Sequence, residues 1–154
     1  MSGRCTDIDM RDTATRKTDV LAALQKQGDY WLGTADAAGR PHLIACSAWW
    51  DGSSLVITTR GASATAHNLT DNPRVKLAGG DPSDALVIDA DVIYSGAAKD
   101  SGELAEGFKS AMGWDPREMN NWMLFRLRPT RIQAFRGYDE IDNRDVMVRS
   151  RWLV

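Results

Sequence analysis

The chain has 154 residues, 43% of them hydrophobic and 26% charged, with a formal net charge of −2. A chain of that length builds one domain around one core, and its acidic balance excludes nucleic acid as the main partner, because phosphate backbones are bound by clustered cations. No run approaches the roughly 20 apolar residues that cross a bilayer, and Met1–Asp12 lacks the apolar segment of a secretory leader, so a cytoplasmic protein without a membrane partner is expected.

Residues 1–17 show no sustained apolar period and read as a flexible tail ahead of a domain covering 18–154. Cys5 falls in that tail and Cys46 in an apolar run. Two cysteines so far apart predict neither a disulfide framework nor a metal site. From Thr18, the residues Val20, Leu21 and Leu24 repeat at helical spacing, with Thr18 or Asp19 to cap the start and Gly28 to end it. Tyr30–Ala35 reads as a strand, Asp36–Gly39 as a hairpin turn and Pro41–Trp50 as a second strand. Asp51-Gly52 signals another hairpin before a third strand at Ser54–Thr59. Ala64, Thr65, Ala66 and Leu69 suit a short helix capped by Ser63 and ended by Asn72-Pro73. Arg74–Leu77 alternates, Gly79–Pro82 turns, and Ala85–Ala98 is a long strand with Leu86, Ile88, Ala90 and Val92 on one face. Leu104, Phe108 and Met112 mark a helix that Ser101 can cap and Gly113 can close. Asp115–Glu118 resembles another helix start, with proline in first position. Leu124–Arg128 and Ile132–Arg136 read as two strands around a Pro129-Thr130 turn. The pattern of about six or seven strands joined early by hairpins predicts an antiparallel, closed or partly closed barrel decorated with helices.

Most catalytic constellations are missing. His42 and His67 lack neighbouring ligands at metal spacing, and neither a Gly-x-Ser-x-Gly elbow nor a Walker loop occurs. Asp89 and Asp91 share a strand face, where solvent-facing or edge-strand aspartates are the expected reading over a catalytic carboxylate pair. The informative stretch is Thr58–Leu69: a strand end with hydroxyls, Arg60, a permissive Gly61, then a helix start capped by Ser63. Free N–H groups, hydroxyls and a guanidinium compose a phosphate site, although a capped surface helix after a strand accounts for the same residues. Tyr30, Trp49 and Trp50 are candidates for a substrate pocket, and core or interface packing is an equal reading for each.

Tyr30-Trp-Leu-Gly-Thr-Ala, Gly39-Arg-Pro-His42, Trp50-Asp-Gly, Thr58–Leu69 and Asn72-Pro-Arg-Val75 together resemble the pyridoxamine 5′-phosphate oxidase-like split-barrel group, on its flavin- or deazaflavin-dependent oxidoreductase branch. Gly80-Asp81, Gly113–Pro116, Arg128–Ile132 and Arg149–Trp152 extend the resemblance to the C-terminus. It implies a split antiparallel β-barrel, mainly β with helices, that forms a homodimer with FMN or F420 at the subunit interface. The cofactor contacts it implies are Thr58, Thr59, Arg60, Ser63, Thr65, His67 and Asn68 on the phosphate side, Ala45, Cys46 and Ser47 along the ring, and Trp152 closing the site. Two departures stand out: the family carries lysine where this chain has Thr65 and arginine where it has His67. It also favours proline and a bulky aromatic at Ala45 and Ser47. The expected function is therefore a flavin- or F420-dependent oxidoreductase acting on a small organic substrate. The alternative is a non-catalytic barrel that binds a cofactor or haem, or none, after losing the phosphate-binding cations. The sequence names no catalytic acid or base, since a flavin carries the redox chemistry itself.

Overall fold

A computed structural model describes residues 10–26 and 28–154; Cys5 and the expectations for residues 1–9 lie outside the described residues. The elements in chain order are α1 (Thr13–Lys26), β1 (Asp29–Ala35), β2 (Pro41–Trp50), β3 (Leu55–Arg60), α2 (Ala64–Asp71), β4 (Arg74–Gly79), β5 (Ala85–Ala97), α3 (Gly102–Met112), β6 (Trp122–Phe135), β7 (Asp145–Val148) and β8 (Arg151–Trp152), with short 3-10 turns at 98–100, 116–118 and 138–143.

The strands form one antiparallel sheet in the order β3-β2-β1-β4-β5-β6-β7-β8, and β3 pairs with β6 to close a six-stranded barrel. Alternation drives the closure. Tyr30 and Leu32, Val75 and Leu77, and Leu86, Ile88 and Ala90 all turn inward and are buried, as the period of two requires for a half-buried sheet. The split lies between β2 and β3. These strands pair only from Ala48 to Trp50, whereas β2 pairs with β1 from Pro41 to Ser47.

A second, smaller core sits outside the barrel under α3, where Val56, Ala98, Ala105, Phe108 and Leu124 are buried. Trp114 stands edge-on between Phe108 (5.3 Å) and Trp122 (5.8 Å). Trp49 packs there too, while Trp50 and Trp152 pack on the barrel core. Five of the six tryptophans thus serve packing, and Trp31 is the exception at 56% exposed.

Four expectations need correction. The first helix starts at Thr13, not Thr18, because Asp12 Oδ1 accepts the Thr15 N–H (2.7 Å) as an N-cap. The chain is also pinned ahead of it: Arg11 bonds Glu140 and Asp19, so 10–17 belong to the folded unit. The two expected C-terminal strands are one strand, β6. Pro129 sits at a bulge where Thr130 is the extra residue between Arg131, paired with Asp89, and Pro129, paired with Ala90, and bulges tolerate a missing donor. Ser101 precedes α3 but makes no cap bond; its hydroxyl donates to Ala97 O (2.7 Å) and contacts the Tyr94 hydroxyl (2.9 Å). Asp89 and Asp91 are not on an edge, since β5 is flanked by β4 and β6; both are half-exposed, in keeping with the solvent-facing half of the expectation.

Candidate functional site

β3 carries Thr58 and Thr59 to the end of the barrel, and the chain turns through Arg60–Ser63 into α2. The turn hugs β6: Gly61 N–H donates to Asn121 O (2.8 Å), and a Cβ at Gly61 would lie 2.9 Å from that oxygen. Glycine is therefore required by close approach. Ser63 caps α2 as the sequence predicts. Its Oγ accepts the Ala66 N–H (3.0 Å) and donates to Arg60 O (2.7 Å). With its proton so used, the Thr59 hydroxyl is the donor across their 3.2 Å contact. The N–H groups of Ala64 and Thr65 have no acceptor among the described residues, and the exposed Arg60 guanidinium has no partner among them. Amides at a helix start beside a free guanidinium fit an anion.

Other expected contacts are committed elsewhere. Thr58 Oγ1 donates to Met123 O (2.8 Å). Thr65 is 2% exposed and so presents nothing to a surface ligand. Asn68, 8% exposed, donates from Nδ2 to Thr34 Oγ1 (3.1 Å), which ties α2 to β1. His67 is exposed on α2. Of the phosphate-side set, the structure brings Thr59, Arg60 and Ser63 together around the helix start, with His67 on the next turn.

Along the split, Ala45 is exposed and Cys46 and Ser47 are half-buried; the Ser47 hydroxyl donates to Asp29 Oδ1 (3.1 Å). Burial pushes the Cys46 thiol up to about 12, with the Asp29 charge adding to the shift, so it is neither a nucleophile nor an acid near neutral pH. Tyr30 is 3% exposed inside the barrel, and burial pushes its phenol up to about 12. It belongs to the barrel core and also borders a recess of about 260 Å³ with Trp31, Ala45 and Gly79. Trp49 presses on α3 so closely that a Cβ at Gly107 would meet its ring at 2.4 Å. Trp49 and Trp50 border a recess of about 290 Å³ with Leu24 and Met112. Trp152 lies against its own barrel with Lys17 Nζ 5.3 Å from its ring centroid. Among the described residues no cluster of His, Cys, Asp or Glu could hold a metal ion.

A further recess lies elsewhere on the barrel. A groove of about 820 Å³ runs between the β1–β2 hairpin and β4–β5, over Gly33, Leu43 and Ala90, with Arg74, Lys76, Asp89 and Asp91 along it. Arg74 and Lys76 share the spacing of two found in Asp89 and Asp91, and antiparallel pairing sets Arg74 opposite Asp91 and Lys76 opposite Asp89. Nothing local reveals which strands become neighbours, so the match was invisible before the fold.

Comparison with known proteins agrees with this architecture. Residues 17–136 match the sequence profile of the family described as pyridoxamine 5′-phosphate oxidase. A structure described as an F420 reductase superposes with a TM-score of 0.59 at 20% identity, covering 72% of this chain and 93% of that chain. A putative pyridoxamine 5′-phosphate oxidase from Listeria innocua gives 0.63 at 16% identity, covering 79% and 98%. HutZ, a haem storage protein from Vibrio cholerae, gives 0.59 at 19% identity, covering 88% and 99%. No curated protein matches by sequence. At these identities the structures establish the fold alone, while the profile spans most of the chain: this protein belongs to the pyridoxamine 5′-phosphate oxidase family.

Proposed function

We propose that the chain binds a phosphorylated flavin or deazaflavin, FMN or F420, with its phosphate at the start of α2, and acts as an oxidoreductase on a small organic substrate at an interface between two copies. The observation that carries this reading is the exposed, unpartnered Arg60 on the loop that leads into α2, together with the unpaired amide of the exposed Ala64. Thr59 and Ser63 shape that loop through their shared hydrogen bond. His67 is exposed on the next turn of the same helix. The unpaired β2 edge at Ala45–Ser47 offers backbone donors and acceptors to a ring. When bound, the ring supplies hydride transfer; the protein binds it, orients it and limits water access. Cys46 and Tyr30, both held neutral by burial, move no proton in this scheme. No described helix is long and apolar enough to cross a membrane.

The burial of Thr65 favours a second reading, in which the barrel binds haem or another ligand without catalysis. With a threonine hidden at that position, Arg60 is left as the cation of the loop. Titration of the purified protein with FMN, F420 and haemin, followed by absorbance, separates the two. The first reading expects saturable FMN or F420 binding that Arg60→Ala weakens about tenfold or more. Binding of haemin alone sinks it.

A further inference from the structure

We propose that the groove between the β1–β2 hairpin and β4–β5 is a second binding site, for a small organic anion with an apolar body and one carboxylate, and that Arg74 receives the carboxylate. The argument starts from charge pairing across the ladder. Lys76 Nζ lies 3.3 Å from Asp89 Oδ1, and Arg131 engages Asp145 through Nε (2.8 Å) while also feeling the charge of Asp89. Asp91 stands in register between Arg74 on β4 and Arg128 on β6. Neither of those arginines forms an ion pair within 4.0 Å among the described residues. This outer face of β4, β5, β6 and β7 thus sets four cations against three carboxylates, and the surplus positive charge falls at the Arg74 end, where Arg74 borders the groove.

The rest of the lining suits an apolar body. Gly33, Ala35, Leu43 and Ala90 border the same space. Gly33 has no side chain where its neighbours on that face project, and Leu43 stands 64% exposed at the lip. About 820 Å³ falls within the range of small-molecule pockets, and a mostly apolar wall with few charged groups is their usual composition. An arginine whose guanidinium is not already paired offers a bidentate carboxylate site without first breaking an ion pair.

None of Thr59, Arg60, Ser63 and His67 lines this groove, so the proposal does not rest on flavin binding. The test is calorimetric titration of the full chain with 2-naphthoate and with the neutral, near-isosteric 2-naphthamide. Saturable binding of naphthoate at one per chain is expected, with naphthamide about tenfold weaker or worse. Arg74→Gln should weaken naphthoate by a similar factor with an unchanged melting temperature, whereas Asp91→Asn, which removes neighbouring negative charge, should tighten it. Arg60→Ala should leave naphthoate binding intact. Absence of naphthoate binding, equal affinity for the amide, indifference to Arg74→Gln or loss in Arg60→Ala would each overturn the proposal. Failure of FMN and F420 to bind would leave it standing.

Discussion

At the seam where α1 meets the turn after β6, Glu140 is 1% exposed and accepts hydrogen bonds from Arg11 N, Nε and Nη2 and from Arg136 N. Arg11 also reaches Asp19, and Arg136 reaches Asp84. Arg16, 2% exposed, bonds the carbonyls of Arg11 and Asn143. At the start of α2 and along the groove the pattern is opposite: neither Arg60 nor Arg74 forms an ion pair within 4.0 Å among the described residues, although Asp91 stands in register opposite Arg74. The two regions lie on one sheet and differ in what their charges do. Paired, desolvated charges hold chain segments in one arrangement, and removing one partner is costly. Unpaired, solvated charges add little to stability and remain available to a ligand.

That contrast can be broken or sharpened by substitution. The largest effect is expected for Glu140→Ala, which removes the buried acceptor of Arg11 and Arg136 N and leaves Arg11 only the more exposed Asp19 and Asp84: about 3 kcal/mol lost in urea unfolding. A loss below about 1 kcal/mol would erase the distinction between the regions. The seam also sets acid sensitivity. Burial alone would raise the Glu140 carboxyl, but the Arg11 and Arg136 hydrogen bonds outweigh it and hold the group down at about 2, from an ordinary 4.5. A depressed carboxyl stabilises the fold above its unfolded value, and that stability drains as pH falls from about 4.5 toward about 2. Glu140→Gln should flatten this acid limb; Asp51, also held at about 2 by Ser54, Ser53 and Arg126, retains the residual slope. Next comes Gly107→Ala, where the new methyl collides with the Trp49 ring and should cost about 1–3 kcal/mol, read as a lower melting temperature. Ser63→Ala removes the α2 cap for about 1 kcal/mol and should weaken FMN or F420 binding as the loop loosens, measured by absorbance titration. Smallest is Arg60→Ala, which should shift stability by no more than about 0.5 kcal/mol while still reducing cofactor affinity.

The sequence made the barrel readable where local signals were strong. Asp51-Gly52 gave the β2–β3 hairpin, Ser63 and Asn72-Pro73 bounded α2, and Gly113 closed α3 with φ at +82°. It failed where a distant partner overrules the local rule. Pro129 broke β6 on paper, yet β5 alongside and the Ser150 hydroxyl, which donates to Pro129 O (2.8 Å), keep the strand continuous. Residues 10–17 looked loose because their anchor, Glu140, lies far along the chain. The site divides the same way. Hydroxyls, arginine and helix start were legible as types, but burial was not, and burial removes the Thr65 side chain from surface contact.

Barrel closure has a consequence for how the chain reaches its native state. The pairing that completes the ring joins Leu55 to Leu127 and Arg60 to Trp122, so the cylinder cannot shut until most of the chain is available. The early meander of β1, β2 and β3 can form from neighbouring residues, but its β3 edge waits for β6. Contacts so distant along the sequence slow folding and leave an exposed strand edge in the interim. A truncation before β6 should therefore yield an open, aggregation-prone sheet rather than a smaller stable barrel, and refolding of the full chain should be slower than its length alone suggests.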